Sequence, residues 1–276
     1  MSEFEPWVGR SQTASDMLEP ARSNALEVAL GGTGSLVAGD PMPLLHHWLY
    51  FWDVKPPASL GVDGHPAKGG FLPPVPLPRR MWAGGRLTFH QPLMLGAHVT
   101  RTSTITAVKE KTGKTGTLVF VTVQHQLDGG NGLAVSEEQD LVYREPAAAS
   151  LPAQVGLSAP ATAWVETVDP DPVLLFRYSA LTMNGHRIHY DLPYAMNEEA
   201  YPALVVHGPL QATLLMRLVT ANLAAPVTGF DFRGQQPAFG GALLHVCGTP
   251  GDDGAEVWTQ QGEAKNMVAT VRTGAA

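Results

Sequence analysis

A polar loop late in the chain holds Asn184, His186, His189 and Asp191. An apolar approach, Leu204 to Val206, leads from it to His207-Gly208-Pro209 at the head of a strongly apolar segment. Histidine titrates near neutral pH, so His189 is a candidate general acid/base. A helix starting at Gly208 would present free backbone N–H groups and positive dipole charge, which favour a carbonyl oxygen turning into an oxyanion. A loop imidazole delivered beside such a helix start would make an acid/base site.

Each of these residues also has a plainer reading. Asn184-Gly185 is a strong turn dipeptide, although a turn can also aim the Asn184 amide into a site. His186 reads as a loop neighbour, His207 as a packing or capping residue, and Asp191 as the cap of a helical turn. Gly208 could serve only close strand–helix approach, yet its N–H is the first candidate oxyanion donor. Arg79 and Arg80 follow the proline-rich PPVPLP stretch. They are either a solvated pair or a grip for a substrate carboxylate or for phosphates, which guanidinium binds bidentately.

The elements that would position these groups are legible in outline. Leu210, Leu214, Leu218 and Ala221 fall at helical spacing, and Pro209 suits the first helical turn. Residues 84–99 and 228–244 share a pattern of a short β-like run, a proline and then a glycine: Pro92 with Gly96, Pro237 with Gly241. Three strand-like segments follow each, near 97–109, 117–127 and 133–144, and near 241–248, 254–262 and 264–272. Each half also has an apolar segment ahead of its strands, 43–52 and 209–219. A long helix wrapped by an antiparallel meander, present twice, predicts an α+β fold whose two sheets join edge to edge. The Ala/Pro/Ser-rich stretch 146–162 reads as a linker between an N-terminal half, 1–145, and a C-terminal half, 163–276.

Composition bounds the function. The chain has 276 residues and a net charge of −7, which argues against a nucleic-acid-tracking surface. Cys247 is the only cysteine, so no internal disulfide or cysteine-based metal cluster can form. No histidine or carboxylate grouping has metal-ligand spacing, and no phosphate-binding loop occurs. The N-terminus does not read as a signal peptide, and there is no apolar run long enough to span a membrane. The expectation is a cytoplasmic protein with no membrane and no nucleic-acid partner.

The loop resembles the MaoC-type hot-dog hydratases and dehydratases, the (R)-specific enoyl-CoA hydratase group. That family's signature is an Asp, four residues, a His, and later a His-Gly pair at the start of the central helix. Asn184 to His189 has the matching spacing, and His207-Gly208 follows; Phe176-x-Tyr178-Ser179 and Tyr194-Ala195 also fit. The whole chain is similar to a two-hot-dog subfamily, through WVGR at 7–10, HWLYFW at 47–52, GGFLPPVPLPRRMWAGG at 69–85, LVFVTVQH at 118–125 and NGHRIHYD at 184–191.

The resemblance implies a double hot-dog fold, with catalysis in the C-terminal half and an acyl pocket shaped by the N-terminal half. It implies a hydro-lyase adding water to an α,β-unsaturated acyl-CoA, with a mesaconyl-C4-CoA-type substrate first. His189 would move protons, Asn184 would hold water, and the Gly208 N–H would stabilise the thioester oxygen. Arg79, Arg80 and Asp191 are the substrate-binding candidates. No metal or cofactor is implied; coenzyme A enters with the substrate, and a homodimer stays open. The alternatives are a 3-hydroxyacyl-thioester dehydratase of fatty-acid type and a non-catalytic acyl-CoA-binding protein. One departure matters: the family's Asp is Asn184 here, and an amide cannot accept a proton at neutral pH. Either His189 alone handles the protons, or Asp191 has taken over the carboxylate's role, or activity is reduced.

Overall fold

The apolar run after His207 folds as the predicted long helix, α4 (Gly208–Asn222), in a computed structural model describing residues 3–113, 116–145 and 160–274. Leu210, Leu214, Leu215, Met216, Leu218 and Val219 are buried, as are Gln211, Ala212 and Thr213 between them. Burial around nearly the whole circumference marks a central helix rather than a surface one. Each fully buried leucine contributes roughly 1.5–3 kcal/mol by leaving water. Ala221, expected in the same stripe, is exposed where the helix runs out.

Ten antiparallel strands wrap this core. The first half supplies β1 (Ser11–Met17), β2 (Arg79–Phe89), β3 (His98–Gly113), β4 (Gly116–Asp128) and β5 (Leu133–Arg144). The second supplies β6 (Trp164–Val168), β7 (Val227–Gly234), β8 (Leu244–Gly251), β9 (Gly254–Gln261) and β10 (Ala264–Thr273). The sheet order is β1-β3-β4-β5-β2-β7-β10-β9-β8-β6, so the second five strands repeat the first five outward from a β2–β7 seam. All six strand segments predicted after the two Pro/Gly patterns are present.

The seam requires small residues. A Cβ on Gly84 would lie 2.5 Å from the Phe232 carbonyl oxygen, and one on Gly85 would lie 2.8 Å from the Phe232 ring. Trp82 and Trp48 stack edge-on beside it, 4.9 Å apart, and Phe232 closes on both. Pairing along the seam also hides two strand edges that would otherwise template aggregation.

The repeat extends to individual hydrogen bonds. Pro41 bridges Met94, two residues after Pro92, and Val205 bridges Phe239, two residues after Pro237. The Met42 and Leu95 N–H groups donate to Leu93 and Asp40, at 2.8 and 2.9 Å. In the second half Val206 and Gly240 donate to Ala238 and Leu204, both at 2.8 Å. Gly96 and Gly241 turn with φ of 84° and 83°, in the left-handed region that glycine enters without steric cost. The fold is a double hot-dog.

The halves part company at the central helix. By this equivalence Leu44 and Leu45 stand where Gly208 and Pro209 open α4. The apolar segment 43–52 nevertheless makes only one 3-10 turn, His46–Leu49. Leu45 has φ of 70° and Phe51 of 59°, conformations that break a right-handed helix on both sides of the turn. The earlier helix α1 (Pro20–Ala29) packs against α2 (Pro172–Leu181) of the second half. A buried polar network occupies part of the first half's interior. Glu137 accepts from the Trp48 indole at 2.9 Å and from Gln139 at 2.7 Å, and contacts His47 Nε2 at 3.1 Å. The linker reading of 146–162 falls almost wholly outside the described residues.

Candidate active site

The polar loop is built by a succession of local stops. Asp171 caps α2, accepting from the Leu174 N–H at 2.7 Å. Met183, with φ of 51°, takes the chain out of α2, and the Asn184 side-chain oxygen accepts the His186 N–H at 3.0 Å. That is a side-chain-closed turn, as the Asn-Gly dipeptide suggested. One 3-10 turn, Arg187–His189, follows, and Asp191 then caps α3 (Leu192–Asn197) by accepting the Tyr194 N–H at 3.2 Å. Asp191 also pairs with Arg187 at 2.7 Å. Both of its oxygens are thus engaged within the loop.

His189 is buried, and its Nδ1 lies 2.7 Å from the Val205 carbonyl oxygen. A carbonyl only accepts, so Nδ1 carries the proton and Nε2 keeps the lone pair. The Val205 N–H donates back to Ile188 at 3.0 Å, tying the loop to the approach to α4. His207, the residue before α4, stacks on His189 with centroids 3.7 Å apart and an interplanar angle of 20°. The His207 Nε2 contacts the Ser179 hydroxyl on α2 at 2.8 Å. The His186 ring meets His189 edge-on at 5.5 Å. The structure brings His186, His189 and His207 together immediately ahead of Gly208, with Asn184 closing the turn on His186.

Burial sets the electrostatics. It pushes His189 down to about 4; the Val205 hydrogen bond opposes this and the positive charge of His65 adds to it. His186 and His207 are likewise held below the ordinary histidine range by burial, then by the neighbouring imidazoles. At neutral pH the cluster is uncharged, so His189 is ready to accept a proton.

Gly208 is not there for packing. A Cβ at this position would meet nothing nearer than the Met267 methyl, at 3.8 Å, an ordinary contact. The first N–H groups of α4 have no intrahelical partner; Leu210 is fully buried, which leaves the half-buried Gly208 N–H as the candidate donor to a ligand. Pro209 has none to offer.

The first half reaches the same place, which spacing did not anticipate. Loop 61–67 lies across the His189 loop: the Arg187 N–H donates to the Asp63 carbonyl at 2.9 Å, and the Arg187 guanidinium reaches the Val62 carbonyl at 3.1 Å. A Cβ on Gly64 would overlap the Gly185 carbonyl, so the two backbones touch. His65 Nδ1 lies 3.2 Å from the Asp63 carboxylate, and its ring is 4.2 Å from that of His186. Asp63, His65 and His186 bring their ligand-type atoms within 4.8 Å of one another, a grouping that no sequence spacing revealed because His186 is over a hundred residues from the other two.

The two arginines separate. Arg79 is buried; its Nε pairs with the Glu199 carboxylate at 2.8 Å, its Nη2 donates to the Glu199 carbonyl at 2.7 Å, and it lies over the Tyr201 ring. Arg80 forms no ion pair among the described residues, and its charge acts on His65, His186, Lys68 and Tyr143. A cavity of about 540 Å³ lies elsewhere, between Glu27, His46, Phe89 and the Met216–Thr220 end of α4. It sits where the first half lacks its long helix, and His189 does not line it.

A hydroxyacyl-thioester dehydratase type 2 family model matches residues 45–240. Over 276 residues, 99% of both chains, the sequence is 44% identical to mesaconyl-C(4)-CoA hydratase of Chloroflexus aurantiacus. It is 30% identical to a mitochondrial hydroxyacyl-thioester dehydratase type 2 of Schizosaccharomyces pombe, over 73% of this chain and 76% of that one. A Mycobacterium tuberculosis protein described as having a double hotdog fold superposes with a TM-score of 0.55 over 96% of each chain, at 15% identity, and so shares the fold. The matched span takes in loop 61–67, both arginines, the imidazole cluster and the start of α4, and the chain belongs to the hydroxyacyl-thioester dehydratase type 2 family.

Proposed function

We propose that this hydro-lyase adds water across the double bond of an α,β-unsaturated acyl-CoA of the mesaconyl-C4 type. The observation that carries the reading is the fixed tautomer of His189, which leaves a neutral Nε2 base on a ring stacked against His207, the residue that precedes the Gly208 start of α4. The water oxygen bonds to the β-carbon while Nε2 takes its proton. The π electrons move toward the thioester oxygen, which the Gly208 N–H and the helix dipole stabilise as an enolate. The imidazolium returns the proton to the α-carbon, leaving a 3-hydroxyacyl thioester. An oriented donor of this kind lowers the barrier by about 3 kcal/mol. Asn184, with its oxygen engaged by His186, has its NH₂ group left to orient the water.

The 44% identity over nearly the full length supports the C4 dicarboxylyl substrate over a fatty one. In this reading residues 163–276 carry the chemistry and 1–145 shape the pocket. Coenzyme A enters as part of the substrate, no metal or other cofactor takes part, and the protein works in the cytoplasm, as a monomer or a homodimer. Among the described residues no helix is long and apolar enough to cross a membrane.

The test is loss of enoyl-thioester absorbance when purified protein meets mesaconyl-C4-, crotonyl- and itaconyl-CoA in parallel. Mesaconyl-C4-CoA should be hydrated fastest. Faster turnover of crotonyl-CoA would favour the fatty-acid-type dehydratase, and ligand-induced thermal stabilisation with unchanged absorbance would mark a binder.

A further inference from the structure

The free carboxylate of a C4 thioester of methylfumarate is bonded to the carbon that water attacks. Whatever recognises it must therefore lie close to the base. His65 lies close to His189, linked through His186 by ring separations of 4.2 and 5.5 Å. Arg80 and Tyr143 are direct register partners across β2 and β5, so their side chains leave the same face of the sheet. Tyr143 is fully buried, and its hydroxyl is engaged by the Arg80 side chain rather than by any carboxylate. The phenol thus holds the guanidinium from one side and leaves its other N–H groups for a further acceptor. Lys68, bonded to the Leu77 carbonyl and 5.9 Å from the Tyr143 ring centroid, adds a second positive charge.

We infer that Arg80, Tyr143 and His65 form a carboxylate-binding subsite that selects unsaturated thioesters carrying a free carboxylate on the β-carbon. This rests on the hydratase reading above and deepens it. Arg79 cannot serve, because Glu199 already occupies its guanidinium. Arg80 has no such partner among the described residues, so a bidentate carboxylate completes it. Asp63 is the one carboxylate in the cluster. It is turned to the ring and backbone N–H of His65, at 3.2 and 3.1 Å, and so positions that imidazole. The grouping of Asp63, His65 and His186 has the donor set of a divalent-cation site. The neighbouring Arg80 and Lys68 charges oppose that and favour an anion.

The test compares mesaconyl-C4-CoA with 3-methylcrotonyl-CoA, which has the same branched skeleton with a methyl group in place of the carboxylate. Arg80→Ala should lower kcat/KM for the carboxylated substrate by about 10²-fold or more while leaving the methyl analogue unchanged or improved. Arg80→Lys should recover part of the loss, and Tyr143→Phe should cause a smaller loss of the same selectivity. Titration calorimetry of the saturated pair, methylsuccinyl-C4-CoA against isovaleryl-CoA, reads the subsite without turnover. Wild type should prefer the carboxylated ligand, and Arg80→Ala should erase that preference with the thermal midpoint preserved. A preference that persists without any hydration overturns the hydratase reading and leaves the subsite standing. Equal losses on both ligands, or a preference indifferent to Arg80, overturns the subsite. So does one tightly held equivalent of zinc whose removal abolishes binding.

Discussion

The His189 and His207 rings lie face to face at 3.7 Å, each held from a different element: His189 by the Val205 carbonyl and His207 by Ser179 on α2. Two imidazolium rings could not stack this closely in a buried site without strong repulsion. The pair therefore holds at most one proton beyond neutrality, and His189 Nε2 is the atom placed to receive it.

The depressed His189 value gives a direct prediction. With its value near 4 in the folded protein, the base stays neutral down to well below pH 6. The acid limb of kcat/KM for hydration should fall near pH 4 to 5, measured over the range in which the protein remains folded. A limb centred near 6.5 would mean that His189 is solvated like a free histidine. His189→Ala should lower kcat by about 10²–10⁴-fold with little change in KM.

Arg79 should behave unlike Arg80. Its pair with Glu199 is largely buried, so Arg79→Ala leaves an uncompensated carboxylate and should cost about 3–5 kcal/mol of stability. Replacing both partners with apolar residues should cost much less. Denaturant titration reads both effects, and the residual activity of Arg79→Ala should fall equally on carboxylated and uncarboxylated substrates. A selective loss on the carboxylated one would return Arg79 to the substrate site.

How much of this could be read in the chain depended on sequence distance. The His189 loop and the start of α4 were legible because a turn dipeptide, a cap and a helical stripe lie within some forty consecutive residues and each has a local cause. The two hot-dog units were legible through Pro92–Gly96 and Pro237–Gly241, which anchor the same backbone hydrogen bonds in both halves. The short 3-10 turn at His46–Leu49 was not, because apolar composition suggests a helix while the left-handed conformations of Leu45 and Phe51 follow from tertiary packing. Loop 61–67 was also missed. Asp63 and His65 gain meaning only once the fold brings Gly64 against Gly185, and no spacing rule spans that separation.

The first half's buried network should govern acid stability. Burial alone would push the Glu137 carboxyl up; the His47 hydrogen bond, the His47 and His125 charges and the Gln139 amide outweigh it and hold it down at about 2. A depressed carboxyl stabilises the fold above its unfolded value of about 4.5, and that stabilisation is lost as pH falls toward 2. From the size of the shift the contribution is on the order of 3 kcal/mol. Wild type should lose stability between pH 5 and pH 3, as read by denaturant midpoints. Glu137→Gln should be less stable at pH 7 and show a flatter dependence across the same interval. Parallel curves for the two proteins would show that Glu137 is not the titrating group.

Asn184 is where this chain departs from the carboxylate of the (R)-hydratase pattern, and substitution can separate its two roles. Its side-chain oxygen closes the turn on the His186 N–H at 3.0 Å, a bond that an aspartate oxygen can also accept. Asn184→Asp should therefore preserve the loop while adding a negative charge beside the imidazole cluster. A nearby negative charge favours imidazolium, so the His189 value should rise and the acid limb of kcat/KM should move to higher pH. Asn184→Ala removes both the turn bond and the NH₂ donor and should cut kcat substantially, with the thermal midpoint little changed. If neither variant differs from the parent in rate or pH profile, Asn184 is a turn residue alone and another group holds the water. Asp191 is poorly placed to be that group, since Arg187 and the α3 cap already engage its oxygens.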